Sequence, residues 1–131
     1  MTRTREVTAG TTAQTIRLVQ VGATLSLLGL IWQFVSAGQL LSGADARSVH
    51  GTGAIVLHVV TGLALVAAVL HGRRSGTWWP AVLAAVVFLL TFVQAALGAA
   101  GTVTAHVPMA LAITVGVVWL TAWSFRSAAP Y

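Results

Sequence analysis

Two histidines each open an apolar segment: His50 leads into Gly51, Thr52, Gly53 and Ala54, and His106 into Val107, Pro108, Met109 and Ala110. Neutral imidazole is a common metal ligand and a frequent axial ligand of haem iron. The apolar segments also hold His58, His71, Gln20, Gln33 and Gln94, with several serines and threonines. The chain's only acidic residues, Glu6 and Asp45, lie outside these segments. Ionisable groups in a membrane are costly and mark function, so this absence argues against a proton-coupled carrier built on a membrane carboxylate. With no cysteine, the sequence excludes a disulfide, a thiolate metal site and covalent haem attachment through a Cys-x-x-Cys-His motif.

The elements that must position these side chains follow from composition. Of 131 residues, 57% are hydrophobic and 7% charged, with mean hydropathy +0.90, too little charge for a soluble domain. A bilayer core of about 30 Å takes about 20 apolar residues per helix, and four such windows are present. They run from about 16–40, 49–70, 78–99 and 103–125. Backbone polar groups in lipid are satisfied within a helix, and no alternating pattern indicates a barrel. Short connections make neighbours antiparallel, so the expected fold is an all-α integral membrane protein, an up-down-up-down bundle of four transmembrane helices over 16–126. Residues 1–15 read as a flexible cytoplasmic tail, and 127–131 as a second, shorter one. The first span lacks a convincing cleavage site and reads as retained rather than as a signal peptide.

Arginine placement sets the orientation. Arg3, Arg5, Arg17, Arg73, Arg74 and Arg126 fall on one side and only Arg47 on the other, which places both termini in the cytoplasm of a plasma-membrane protein. Trp78, Trp79, Trp119 and Trp123 suit the cytoplasmic headgroup zone, whereas Trp32 falls toward the outer half of its span. The net charge of +5 is mainly a topology signal; there is no soluble basic face for nucleic acid.

In this topology His50 and His106 stand at nearly equal depth on the outer side, on helices running in the same direction. His58 is eight residues beyond His50, about 12 Å deeper and about 80° away around the helix, so both cannot aim at one iron. His71, beside Gly72, Arg73 and Arg74, reads as a solvated helix end. Two imidazoles at one level suit a six-coordinate haem, with Gly51, Gly53, Ala54, Ala95, Gly98 and Ala110 leaving room for a flat apolar ligand. The alternative is that each histidine is an interfacial polar residue bonded to a backbone carbonyl, and that the small residues simply pack helices. Arg47 either pairs with a haem propionate, or with Asp45, or sits in water. Gln94 either bonds a ligand histidine or propionate, or makes a cross-helix bond.

The stretch containing Gln94, Leu97, Gly98 and His106 resembles the second hairpin of one four-helix half of haem A synthase. That family has a Gln-x-x-Leu-Gly element, a short outer turn and a histidine opening the next helix. His50 stands where the family has its other histidine. The chain is also similar to a group of uncharacterised small four-helix membrane proteins with a His-Gly pair at the second helix and a histidine opening the fourth. The resemblance covers roughly residues 47–114 and implies that His50 and His106 bind haem. The sequence departs from the family in holding one such half, in having Arg47 where the family has a glutamate, and in lacking the paired outer cysteines. The resemblance therefore implies haem binding rather than haem oxidation.

The expected function is that of a b-type haem-binding membrane protein with His50 and His106 as axial iron ligands and His58 as alternative ligand. Gln94, Arg47, Gly51 and Gly98 are expected to contribute to the haem b site. Electron transfer, haem carriage or sensing suits such a site, with a redox or membrane-complex partner or a second copy of the chain; no catalytic residue is expected. A cofactor-free structural or assembly subunit is the other reading, with Gly22, Gly29, Gly62 and Gly116 permitting close contact with a partner helix. A transporter for a small apolar molecule is a third, weakened by the lack of an inverted repeat or broken helices.

Overall fold

A computed structural model describes residues 2–127, with side chains described from residue 12 onward. Four helices follow in order: α1 Thr2–Leu41, α2 Arg47–Ser75, α3 Trp79–Ala99 and α4 Val103–Ser127. Each contains a segment long and apolar enough to cross a membrane, which in α1 is Thr12–Leu41. The segment expected as an N-terminal tail is helical from Thr2, because adding residues to an existing helix avoids the cost of nucleation. Beyond Ser127, the expected C-terminal tail lies outside the described residues. Helix α2 continues past the expected limit at residue 70 to Ser75, where Gly76 in the left-handed region donates to the Gly72 carbonyl.

The helices form a four-helix bundle in which each packs on two neighbours. Helix α1 touches α2 and α4, and α3 touches the same two, leaving α2 and α4 on one diagonal and α1 and α3 on the other. Chain positions in contact run in opposite order across neighbouring helices. Gln33 and Ser36 meet His50 while Thr15 meets His71. Likewise Gln94 meets His106 while Val87 lies against Gly116. The α1–α2 and α3–α4 connections therefore share one end of the bundle.

Small residues line the interior and large apolar ones cover the exterior. Val19, Ala23, Ala67, Ala68, Ala81, Ala84 and Leu120 form one buried cluster. Leu30, Leu57, Val87, Ile113 and Val117 form a second, and Leu83 packs against both. Leu28, Ile55, Leu89 and Leu111, one from each helix, are more than half exposed. A helix apolar all round needs an apolar surrounding on its outward face as well as its inward one. The glycines that the sequence offers to an external partner are taken up inside the chain. A Cβ on Gly22 would stand 2.8 Å from the Ala64 Cα, and one on Gly116 would stand 2.6 Å from Val87 Cγ2. Gly29 and Gly62 similarly face Leu57 and Phe88.

The interior hydroxyls mostly satisfy themselves locally. Ser26 donates to the Gly22 carbonyl at 2.8 Å, Thr61 to Leu57 at 2.7 Å and Thr91 to Phe88 at 2.6 Å. This back-bonding supplies each hydroxyl with an acceptor where no water competes. Both connections at the histidine end close on a glycine in the left-handed region, Gly43 (φ +86°) after α1 and Gly101 (φ +69°) after α3. In each, two crossed backbone bonds satisfy the last carbonyls: Gly43 to Leu40 with Ala44 to Gln39, and Gly101 to Gly98 with Thr102 to Leu97. These tight stops fix where α2 and α4 begin, and with them the level of the two histidines.

Candidate functional site

His50 and His106 are each the fourth residue of their helix, anchored by backbone bonds of 2.9 Å to the Ala46 and Thr102 carbonyls respectively. The first turns of α2 and α4 are thus built alike and lie at the same end of the bundle. Across the diagonal the two imidazole centroids are 6.4 Å apart, with ring planes inclined by 53°. Both side chains are half-buried at the mouth of the bundle.

Each ring is held through Nδ1. His106 Nδ1 lies 3.0 Å from the Gln94 backbone carbonyl, an acceptor only, so Nδ1 carries the proton. His50 Nδ1 lies 2.9 Å from Ser36 Oγ, and that hydroxyl donates its own proton to the Gln33 carbonyl at 3.1 Å. The network therefore assigns a proton to Nδ1 of His50 as well, donated to Ser36 Oγ. In both rings Nε2 is left as the lone-pair nitrogen, and no hydrogen bond among the described residues occupies it. Orientation of a ligand imidazole through its other nitrogen is the usual second layer of a metal site.

Helix α1 holds His50 at two points. Besides the Ser36 contact, the Gln33 amide donates to the His50 carbonyl at 3.0 Å. Gly53 makes this possible, because a Cβ there would collide with the Gln33 amide nitrogen and stand 3.3 Å from the Trp32 indole nitrogen. Ser36, only 1% exposed, was not singled out in the sequence. Its signal is the spacing of Gln33 and Ser36, which places two polar side chains on one face near the end of an apolar helix.

The remaining expected site residues fall into different places. Gln94 acts on His106 through its backbone; its side-chain Oε1 is buried without a partner. Gly98 lies directly against His106, where a Cβ would approach Cε1 to 2.9 Å and Nδ1 to 3.2 Å. Gly51 faces open space, with nothing within 4 Å of a Cβ added there. Arg47 is exposed as the first residue of α2. His58 donates from Nδ1 to the Ala54 carbonyl of its own helix and packs edge-on to Phe92 at 4.4 Å between centroids. His71 departs from the solvated helix end expected of it. It is 6% exposed, its Nδ1 is 3.2 Å from Thr15 Oγ1, and its ring meets Trp123 at 5.7 Å. Because α2 extends beyond residue 70 and α1 begins before residue 16, both helices continue alongside His71 and cover it.

The donor set separates two kinds of metal chemistry. Among the described residues no three His, Cys, Asp or Glu side chains gather to hold a metal ion. A bare zinc ion takes three or four protein ligands, whereas a porphyrin supplies four nitrogens and leaves two axial positions. Two imidazoles with Nε2 free of hydrogen bonds are fewer donors than a bare ion takes and match the two positions that a porphyrin leaves. No protein-family model, curated protein or solved structure matches the chain.

Proposed function

We propose that the chain is a multi-pass membrane protein that binds one b-type haem between His50 and His106. The observation that carries this reading is the pair of imidazoles 6.4 Å apart, each held through Nδ1 with Nε2 left for a ligand. The resemblance of the Gln94–His106 stretch to one half of haem A synthase supports the same two ligands. Gln33 and Ser36 orient His50, the Gln94 carbonyl orients His106, and Gly98 leaves the His106 ring its space. A haem held by His50 and His106 would supply reversible one-electron chemistry, which suits electron transfer, carriage or sensing. Asp45 lies in the α1–α2 connection at the same end of the bundle, and among the described residues no carboxylate is hydrogen-bonded to either imidazole.

The four apolar helices and their apolar exterior support an up-down-up-down arrangement across the bilayer. Arg17, Arg73, Arg74 and Arg126 cluster toward one end and Arg47 stands at the other, which supports cytoplasmic termini and an outward-facing haem site in the plasma membrane. The internal use of Gly22, Gly29, Gly62 and Gly116 removes the main support for a cofactor-free assembly subunit.

An optical spectrum of the detergent-purified, haem-supplied protein tests the reading. A low-spin spectrum is expected, lost in both His50→Ala and His106→Ala. Full haem occupancy with an unchanged spectrum in both variants would overturn it; stoichiometric protein partners with no Soret band would favour the assembly reading.

A further inference from the structure

Away from the histidines, the outward face of α4 carries a shallow, open groove formed by Thr114, Val115, Val118, Trp119, Ala122 and Arg126. Every lining residue belongs to α4, and Val115, Val118 and Trp119 are exposed, so no other helix of the chain covers it. Between Thr114 and Arg126 the helix rises about 18 Å, a little over half the hydrocarbon thickness of about 30 Å and comparable to one leaflet. The lining is mainly apolar along this length and ends on one cation. Arg126 Nε donates to the Ala122 carbonyl at 3.3 Å, which folds the side chain back along the helix toward the groove. Arg17, Arg73 and Arg74 lie at the same end of the bundle, whereas the carboxylate of Asp45 lies in the connection at the opposite end.

We propose that this groove binds one anionic phospholipid, with an acyl chain along Val115, Val118 and Trp119 and the phosphate at Arg126. An open apolar helix face about one leaflet long, ending at a guanidinium, is complementary to such a lipid in both length and charge. A zwitterionic lipid fits the apolar face equally but brings its own cation to the end of the bundle that holds Arg17, Arg73 and Arg74. The proposal rests on the membrane insertion proposed above and is independent of haem.

Native mass spectrometry of the detergent-purified chain with phosphatidylglycerol or phosphatidylcholine of equal chain length tests it. Phosphatidylglycerol is expected to be retained preferentially as a one-to-one adduct. Arg126→Gln is expected to lower that retention about fivefold, the effect of one basic residue near an anionic surface. Arg47→Gln, at the other end, should leave it unchanged, and Trp119→Ala should weaken both lipids alike. Equal retention of the two lipids, or an Arg126→Gln variant that binds as well as the original, overturns the proposal. So does a dimer that excludes both lipids, which would place a second copy of the chain on this face. Carbonate washing of the source membranes separates the two levels: release of the chain would refute membrane insertion itself, whereas retention leaves the lipid comparison as the deciding result.

Discussion

His106 donates from Nδ1 to the backbone carbonyl of Gln94 across 3.0 Å, so the ring is oriented by the path of α3 rather than by a side chain that substitution can remove. The facing ring is held differently, through the hydroxyl of Ser36 on α1. The two halves of one site thus respond differently to mutation.

Ser36→Ala removes the acceptor for His50 Nδ1 and leaves that ring free to turn or change tautomer. Loss of an outer-layer partner of a metal-binding histidine costs about 10–100-fold in affinity. Haem titration monitored at the Soret band is expected to show a loss in this range, while circular dichroism retains the helical signal. Unchanged affinity would remove Ser36 from the site.

Gln94→Leu leaves the backbone acceptor of His106 in place and deletes an unpartnered buried oxygen. A buried polar atom without a partner costs about 1–3 kcal/mol, so thermal unfolding in detergent should be unchanged or shifted upward. The haem spectrum should persist. If Gln94→Leu instead loses haem as completely as His106→Ala, the side chain contacts the bound group itself.

Gly98→Ala and Gly51→Ala form a matched pair at the same end of the bundle. The added methyl at residue 98 meets His106 at 2.9 Å, whereas the one at residue 51 meets nothing within 4 Å. Overpacking of this kind costs about 1–3 kcal/mol, while glycine to alanine on an open helix face gains about 0.5–1 kcal/mol. Haem occupancy is therefore expected to fall in Gly98→Ala and hold in Gly51→Ala; the reverse order would contradict the placement of His106 against α3.

His71→Phe keeps an aromatic ring against Trp123 but deletes the contact with Thr15. The loss of one hydrogen bond predicts a destabilisation of about 1 kcal/mol, read from the unfolding midpoint, with no change in the haem spectrum. A spectral change would make His71 part of the cofactor site, which its position at the far end of α2 opposes.

Much of the architecture follows from composition and punctuation alone. Four apolar windows of membrane length define four helices, and the short connections between them bring His50 and His106 to one level. Equal depth is a one-dimensional property, readable by counting residues along each helix. Which side chains meet across the bundle depends on helix rotation and neighbour choice, and only tertiary packing decides those. It placed α2 and α4 on a diagonal with their histidines facing, and put Ser36 behind His50. It also exchanged the Gln94 side chain for its carbonyl and covered His71 with α1 and Trp123. The physical reason is that a polar side chain in an apolar helix has several ways to be satisfied, and the choice among them depends on atoms tens of residues away in the chain.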